Sequence, residues 1–216
     1  MKLYFSGVSS PVEADMLGEA GITTVLVDPF DYPHASGFDF VAMDSGAYRS
    51  FKKGIPLPPV PYGAFDFVVS PDVIGDPEAS RQAWENDRSK IPVWHWGEKM
   101  ELLRWYLSET DGIVGIGGCV MLMRERSKRL WGGLPRIVEK YSGRFHIFGA
   151  NWIDLLMVLA PNLHSADTSK WLDGARYGEV LGDDMQPVRK AELGRKERCV
   201  CYARKMDEYF NGGTRG

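Results

Sequence analysis

Eight short apolar, β-prone runs recur along this chain, and amphipathic stretches of helical period separate most of them. No other feature constrains the fold as much, because strand–helix alternation calls for parallel strands joined by right-handed crossovers. The runs occupy 2–8, 23–29, 38–48, 65–77, 91–98, 112–118, 145–151 and 163–171. Helices are predicted over 11–21, 77–90, 99–110, 127–143 and 152–161, with Asp76 capping the second and Gly132, Gly133 and Pro135 interrupting the fourth. No clear helix follows the second or third strand, and "PPVPYG" at 58–63 is a Pro-rich loop. Several strands show little polar alternation, as strands covered on both faces do. Eight such units close into a (β/α)8 barrel. The expected fold is therefore α/β: a single compact TIM-like barrel over 1–182, with 183–216 a basic segment packed on it or extending from it. An open doubly wound sheet is the alternative.

Composition removes several classes. With 44% hydrophobic and 25% charged residues in 216, the chain is neither disordered nor a coiled coil. Three cysteines cannot make a disulfide framework, and the Cys199/Cys201 pair is too short for a four-ligand zinc site. No apolar run is long enough for a membrane span, and "MKLYFSGVSSPVEAD" is a poor signal peptide, so a cytoplasmic protein without membrane partners is expected. The net charge of −3 excludes a uniformly basic nucleic-acid binder. Two islands are basic nonetheless: 124–144 has seven cationic side chains against two acidic, and 186–216 has eight against four. Arg124, Arg126, Lys128, Arg129, Arg195 and Lys196 are the candidates for phosphate contact. Solvated helix faces would look the same.

In a barrel, chemistry gathers at the C-terminal strand ends. Polar residues stand there repeatedly: Asp44, Ser45 and Gly46 after the third strand, Asp72 after the fourth, His95 and Glu98 after the fifth. Gly117 and Gly118 end the sixth, Asn151 the seventh and Asp167 the eighth. An Asp at a strand end is also an ordinary cap or turn former. Barrel closure would bring Asp44, Asp72 and Asp167 together, and two carboxylates at one sugar carbon suit glycosyl chemistry. One attacks the anomeric carbon while the other moves a proton to or from the leaving group. Paired glycines let a flat ligand approach bare backbone. Alternation sends His95 to the face opposite Trp94 and Trp96. His34, His95, His146 and His164 show no metal-binding spacing, so no metal and no cofactor is expected.

The motifs "MDSGAY" (43–48), "SPDVIGDP" (70–77), "PVWHWGE" (92–98), "VGIGG" (114–118), "FHIFGAN" (145–151) and "SADTSKW" (165–171) together resemble the tRNA-guanine transglycosylase superfamily. They are most like its short phage branch, the DNA 7-deazaguanine transglycosylases. The resemblance implies an enzyme that exchanges guanine in DNA for a free 7-deazaguanine base. Asp167 would be the nucleophile and Asp44 the general acid/base. Ser45, Asp72, His95, Gly117 and Gly118 would hold the base, and Trp171 would offer a stacking wall. His95 stands where the tRNA enzymes have a glutamine. The family's zinc site needs C-x-C-x-x-C and a later His, whereas "CVCYARK" stops at C-x-C, which moves the expected polymer from tRNA toward DNA. A tRNA-directed enzyme, a non-catalytic nucleic-acid-binding subunit and an enzyme of small glycosides are the alternatives.

Overall fold

A computed structural model describes residues 1–119 and 128–212, without the side chains of 128–130, 174 and 175. Seven parallel strands form one curled sheet, a half-barrel: β1 (Lys2–Phe5), β2 (Thr24–Val27), β3 (Phe40–Met43), β4 (Val93–His95), β5 (Val114–Gly117), β6 (Phe145–Ile147) and β7 (Ser165–Thr168). Their order is β3-β2-β1-β7-β6-β5-β4, so β1 and β7, from opposite ends of the sequence, pair at the centre. The α/β class and the curled parallel sheet agree with expectation.

The fourth expected strand, 65–77, shrinks to two isolated bridges. Val68 bridges to Met43 on one flank, and Val69 bridges to Ile91 on the other. Pro71 lacks a backbone donor, and the chain then turns, Asp76 N–H donating to the Val73 carbonyl at 2.9 Å.

Side-chain alternation divides the sheet into two faces. Leu3, Phe5, Val25, Val27, Met43, Trp94, Val114, Ile116, Phe145, Ile147 and Ala166 join the large core beneath the helices. Residues one step out of phase form a second, inner core. Tyr4, Leu26 and Ala42 pack with Phe67 and Phe148, while Val69, Ile91 and Val93 pack with the same two rings. Gly115 makes room there, since a Cβ on it would fall 2.5 Å from a Phe148 ring carbon.

Helices cover the outer face, all but the second at places the sequence predicts, and the one expected to be interrupted runs through Gly132, Gly133 and Pro135 without a break. They are α1 (Pro11–Glu19), α2 (Ala47–Lys53), α3 (Pro77–Asn86), α4 (Met100–Glu109), α5 (Lys128–Lys140) and α6 (Ile153–Leu159). Ser10 caps α1, and Asp76 caps α3 by accepting from Ala79 N–H at 3.0 Å, each with Pro in the first turn. Gly133 lets α5 sit against the Trp96 indole, where a Cβ would come within 2.9 Å of the ring. Helix α2, unexpected from the sequence, starts immediately after β3, and Gly46 enters it at φ 74°.

After β7 come α7 (Asp173–Tyr177), an antiparallel hairpin of β8 (Glu179–Leu181) and β9 (Pro187–Arg189), and α8 (Arg195–Phe210). Position 182 falls in the turn of that hairpin. Helix α8 packs on α1, β1 and β8, and buries Cys199, Val200, Tyr202, Ala203, Met206 and Phe210. Asn211, just past its end, accepts from Leu3 N–H at 2.8 Å and donates to Leu3 C=O at 3.1 Å. Among the described residues, no helix is long and apolar enough to cross a membrane.

Candidate active site

Because all seven strands run parallel, their C-terminal ends share one rim, and the polar residues of the sequence collect there. Asp44 follows β3, and its carboxylate oxygen accepts from Ser45 N–H at 2.8 Å. Burial pushes its carboxyl up from the usual carboxylate range to about 7, with the charges of Asp167 and then Asp72 adding to the rise. That mutual repulsion places the three acids in one electrostatic neighbourhood, although they lie far apart in sequence.

Asp167, on β7, is 4% exposed. Its Oδ1 accepts the Gly149 N–H at 2.9 Å and faces His146 Nε2 at 3.5 Å. Among the described residues no hydrogen bond occupies Oδ2. Gly149 stands just past β6 at φ 63°, a left-handed conformation natural to glycine.

Asp72 is the organiser of the opposite wall. It accepts from Ser45 Oγ at 3.3 Å through Oδ1 and pairs with His95 Nε2 at 3.0 Å through Oδ2. His95 also lies 3.4 Å from Glu98 Oε1 through Nδ1, and its backbone N–H donates to Glu98 Oε2 at 3.0 Å. Asp72 first, and Glu98 second, raise the imidazole from 6.5 to about 9, so His95 is a cation at neutral pH. Gly117 is required beside it, because a Cβ there would meet His95 Cδ2 at 2.7 Å. Gly118 turns the chain away at φ 73°. Ser45, Asp72, His95, Gly117 and Gly118 thus form one connected wall facing the Asp44–Asp167 neighbourhood.

Three participants were not singled out from the sequence. Asp28, at the end of β2, is half-buried, and loss of water around it raises its carboxyl. Arg49 on α2 bonds it through Nε at 3.0 Å and grips Asp31 with both terminal nitrogens. The signal for Asp28 was present, since "VDP" repeats the acid-after-strand pattern. Arg49 carried none, because its helix was not foreseen. His146 was seen only as a histidine without metal spacing, yet it lies fully buried against Asp167.

Trp171 is corrected. Its indole is fully buried in the main core and its N–H donates to Ser6 C=O at 2.9 Å, so it has no face to offer a base. Lys196 does not join the acidic rim. It pairs with Glu19, the last residue of α1, which lies where the chain returns toward the start of β2, at the end of the sheet away from the acids. Arg195, one residue earlier, is exposed at that same helix start. Arg124 and Arg126 lie outside the described residues, as do the side chains of Lys128 and Arg129. Elsewhere in the basic islands, Arg144 ties down backbone carbonyls of Gly112 and Thr110, and Lys205 pairs with Asp183 at 2.6 Å.

Among the described residues, no group of three or more His, Cys, Asp and Glu side chains is arranged to hold a metal ion. Cys199 and Cys201 sit two apart on α8, one buried and one exposed, so they do not face a common ligand. No protein-family model matches the chain, and no curated protein sequence matches it.

Proposed function

We propose that this chain is a base-exchange transglycosylase that replaces guanine in DNA with a 7-deazaguanine through a glycosyl ester on Asp167. We place it in the tRNA-guanine transglycosylase superfamily on a closed eight-stave barrel, with residues 67–69 as the eighth stave between β3 and β4. The flanking bridges Met43–Val68 and Val69–Ile91 support that closure. The single observation carrying the function is Asp44: a part-buried carboxyl at about 7, raised by loss of water and in part by Asp167 and Asp72. Such a group gives and takes protons at neutral pH, which base exchange requires in both directions.

The target nucleotide must leave the stack, at a cost of a few kcal/mol. Asp167 Oδ2, unengaged among the described residues, attacks C1′ while Gly149 N–H holds Oδ1. As the C1′–N9 bond breaks, the departing guanine takes the Asp44 proton. The surrounding carboxylates stabilise the positive charge that develops on the sugar. A 7-deazaguanine then occupies the slot, gives its ring N–H proton to Asp44, and attacks C1′ to release Asp167. The wall of Ser45, Asp72 and His95 supplies donors and acceptors for the base edge, and Gly117 and Gly118 leave room beside it.

The deciding experiment is mass spectrometry of nucleosides from duplex DNA incubated with the protein and free cyano-, amidino- or aminomethyl-7-deazaguanine. A modified deoxynucleoside is expected with wild type and not with Asp167→Asn. Incorporation by Asp167→Asn at the wild-type rate would end the assignment. The local neutralisation of Lys196 and Lys205 favours a second reading, exchange or hydrolysis on a small nucleoside. Binding that weakens steeply with salt identifies the polymer, and flat salt dependence identifies the small substrate.

A further inference from the structure

Behind the proposed nucleophile runs a chain of side chains that the exchange mechanism does not use. His146 Nε2 faces Asp167 Oδ1 at 3.5 Å, His146 Nδ1 lies 2.9 Å from Ser165 Oγ, and Ser165 Oγ lies 3.0 Å from His164 Nδ1. His146 and Ser165 are fully buried, whereas His164 opens to solvent before the first residue of β7. The chain therefore crosses the inner core from the carboxylate rim to the other end of the sheet. His146 Nε2 has no hydrogen-bond partner within normal reach, an exceptional state for a buried polar atom.

The serine fixes the polarity of this chain. A hydroxyl has one proton, so Ser165 can donate to only one of the two imidazoles, and the other must donate to it. If it donated to His164, His146 would donate from Nδ1 and present the Nε2 lone pair to the Asp167 carboxylate, a repulsive contact in a buried site. The opposite polarity puts a proton on His146 Nε2, the nitrogen that faces Oδ1 across 3.5 Å. His164 Nδ1–H then donates to Ser165, and Ser165 O–H donates to His146 Nδ1. Tyr4, Phe67 and Phe148 pack around the His146 ring and hold it, with ring centroids 6.1, 5.0 and 4.5 Å away. The charged groups facing the far end are Lys2, the N-terminal amine and Asp66, and burial lowers His164 below the usual histidine value.

We infer that His146 is a positioning residue for Asp167, held by Ser165 and His164 in the Nε2–H tautomer so that one carboxylate oxygen is engaged and the other attacks. This rests on the reading of Asp167 as the nucleophile, but the tautomer can be measured without it. In the full chain with ring-15N histidine, the His146 signals, assigned by their loss in His146→Phe, are expected to show a protonated Nε2 and a bare Nδ1. A protonated Nδ1 with a bare Nε2 overturns the inference.

Kinetics provide the second arm. His146→Phe keeps an aromatic ring in an aromatic layer and removes both nitrogens. Its rate of covalent protein–DNA adduct formation is expected to fall roughly tenfold or more, with little change in KM for the free base, as a misplaced reacting group would cause. His146→Gln, whose amide returns an N–H toward Asp167, is expected to recover most of the rate. Rate losses in both variants that merely track their losses in Tm overturn the inference. Absence of any adduct in wild type removes the transglycosylase reading instead, and the nitrogen shifts still decide the tautomer.

Discussion

Asp44→Asn tests the central electrostatic claim, because it should inactivate the protein and stabilise it at once. Moving a carboxyl from 3.8 in the unfolded chain to about 7 in the fold means the native state holds the proton more tightly. Stability is then lost as pH rises from about 4 through 7, and the charged form costs the fold roughly 4 kcal/mol above that window. Asparagine carries no charge, and its carbonyl oxygen can keep the bond from Ser45 N–H. Urea unfolding of both proteins at pH 4.5, 6, 7.5 and 8.5 measures the difference. Near pH 4 the two should match. Above pH 7.5 the variant should be more stable by a few kcal/mol, while incorporation of labelled base falls to background. His95 titrates in a higher window and is present in both proteins, so it largely cancels. A difference that stays flat with pH, or an asparagine variant less stable at pH 8, would refute the argument that burial and two neighbouring acids hold Asp44 protonated.

Three further outcomes are expected. The His95 cation, raised to about 9 by Asp72 and Glu98, contributes stability that is complete below pH 6.5 and lost as pH climbs through 9; thermal melts of His95→Gln should show that part of the profile flattened. Gly117→Ala puts a methyl 2.7 Å from His95 Cδ2, so it should displace the ring, cost about 1–3 kcal/mol in denaturant unfolding, and raise KM for the free base. Asn211→Ala leaves both Leu3 backbone groups without this partner and should cost about 1–3 kcal/mol in the same assay, without changing KM.

What could be read from the sequence follows a physical divide. Strands such as β2 and β5 bury every residue and announce themselves as apolar runs, and the polar residues and glycines that follow such strands fall on one rim once the strands are parallel. Helix α2 was illegible because its large residues, Tyr48 and Phe51, face solvent and only Ala47 and Ser50 are buried. Helix α8 is legible in principle, since Cys199, Ala203, Met206 and Phe210 recur at helical spacing, but the charges between them give the same segment the pattern of a phosphate-binding island. The run at 65–77 looked like a long strand because its apolar residues serve the inner core, whereas Pro71 and the turn that follows end its pairing after two residues. Charge alone does not place Lys196, since a count of basic residues does not show that Glu19 stands beside one of them. His146 was hidden for the opposite reason: its meaning lies in Asp167, Ser165 and His164, and only strand pairing brings β6 and β7 side by side.

Asn211 clasps Leu3 across 208 positions of sequence, and β1 also pairs with β7. A ribosome making this chain therefore releases its first strand long before either partner exists. β1 then waits for these two partners until β7 and α8 have left the exit tunnel. The acidic rim, which needs β3 and β7 in one sheet, therefore comes into being late, after the strands that lie between them in sequence have all been made.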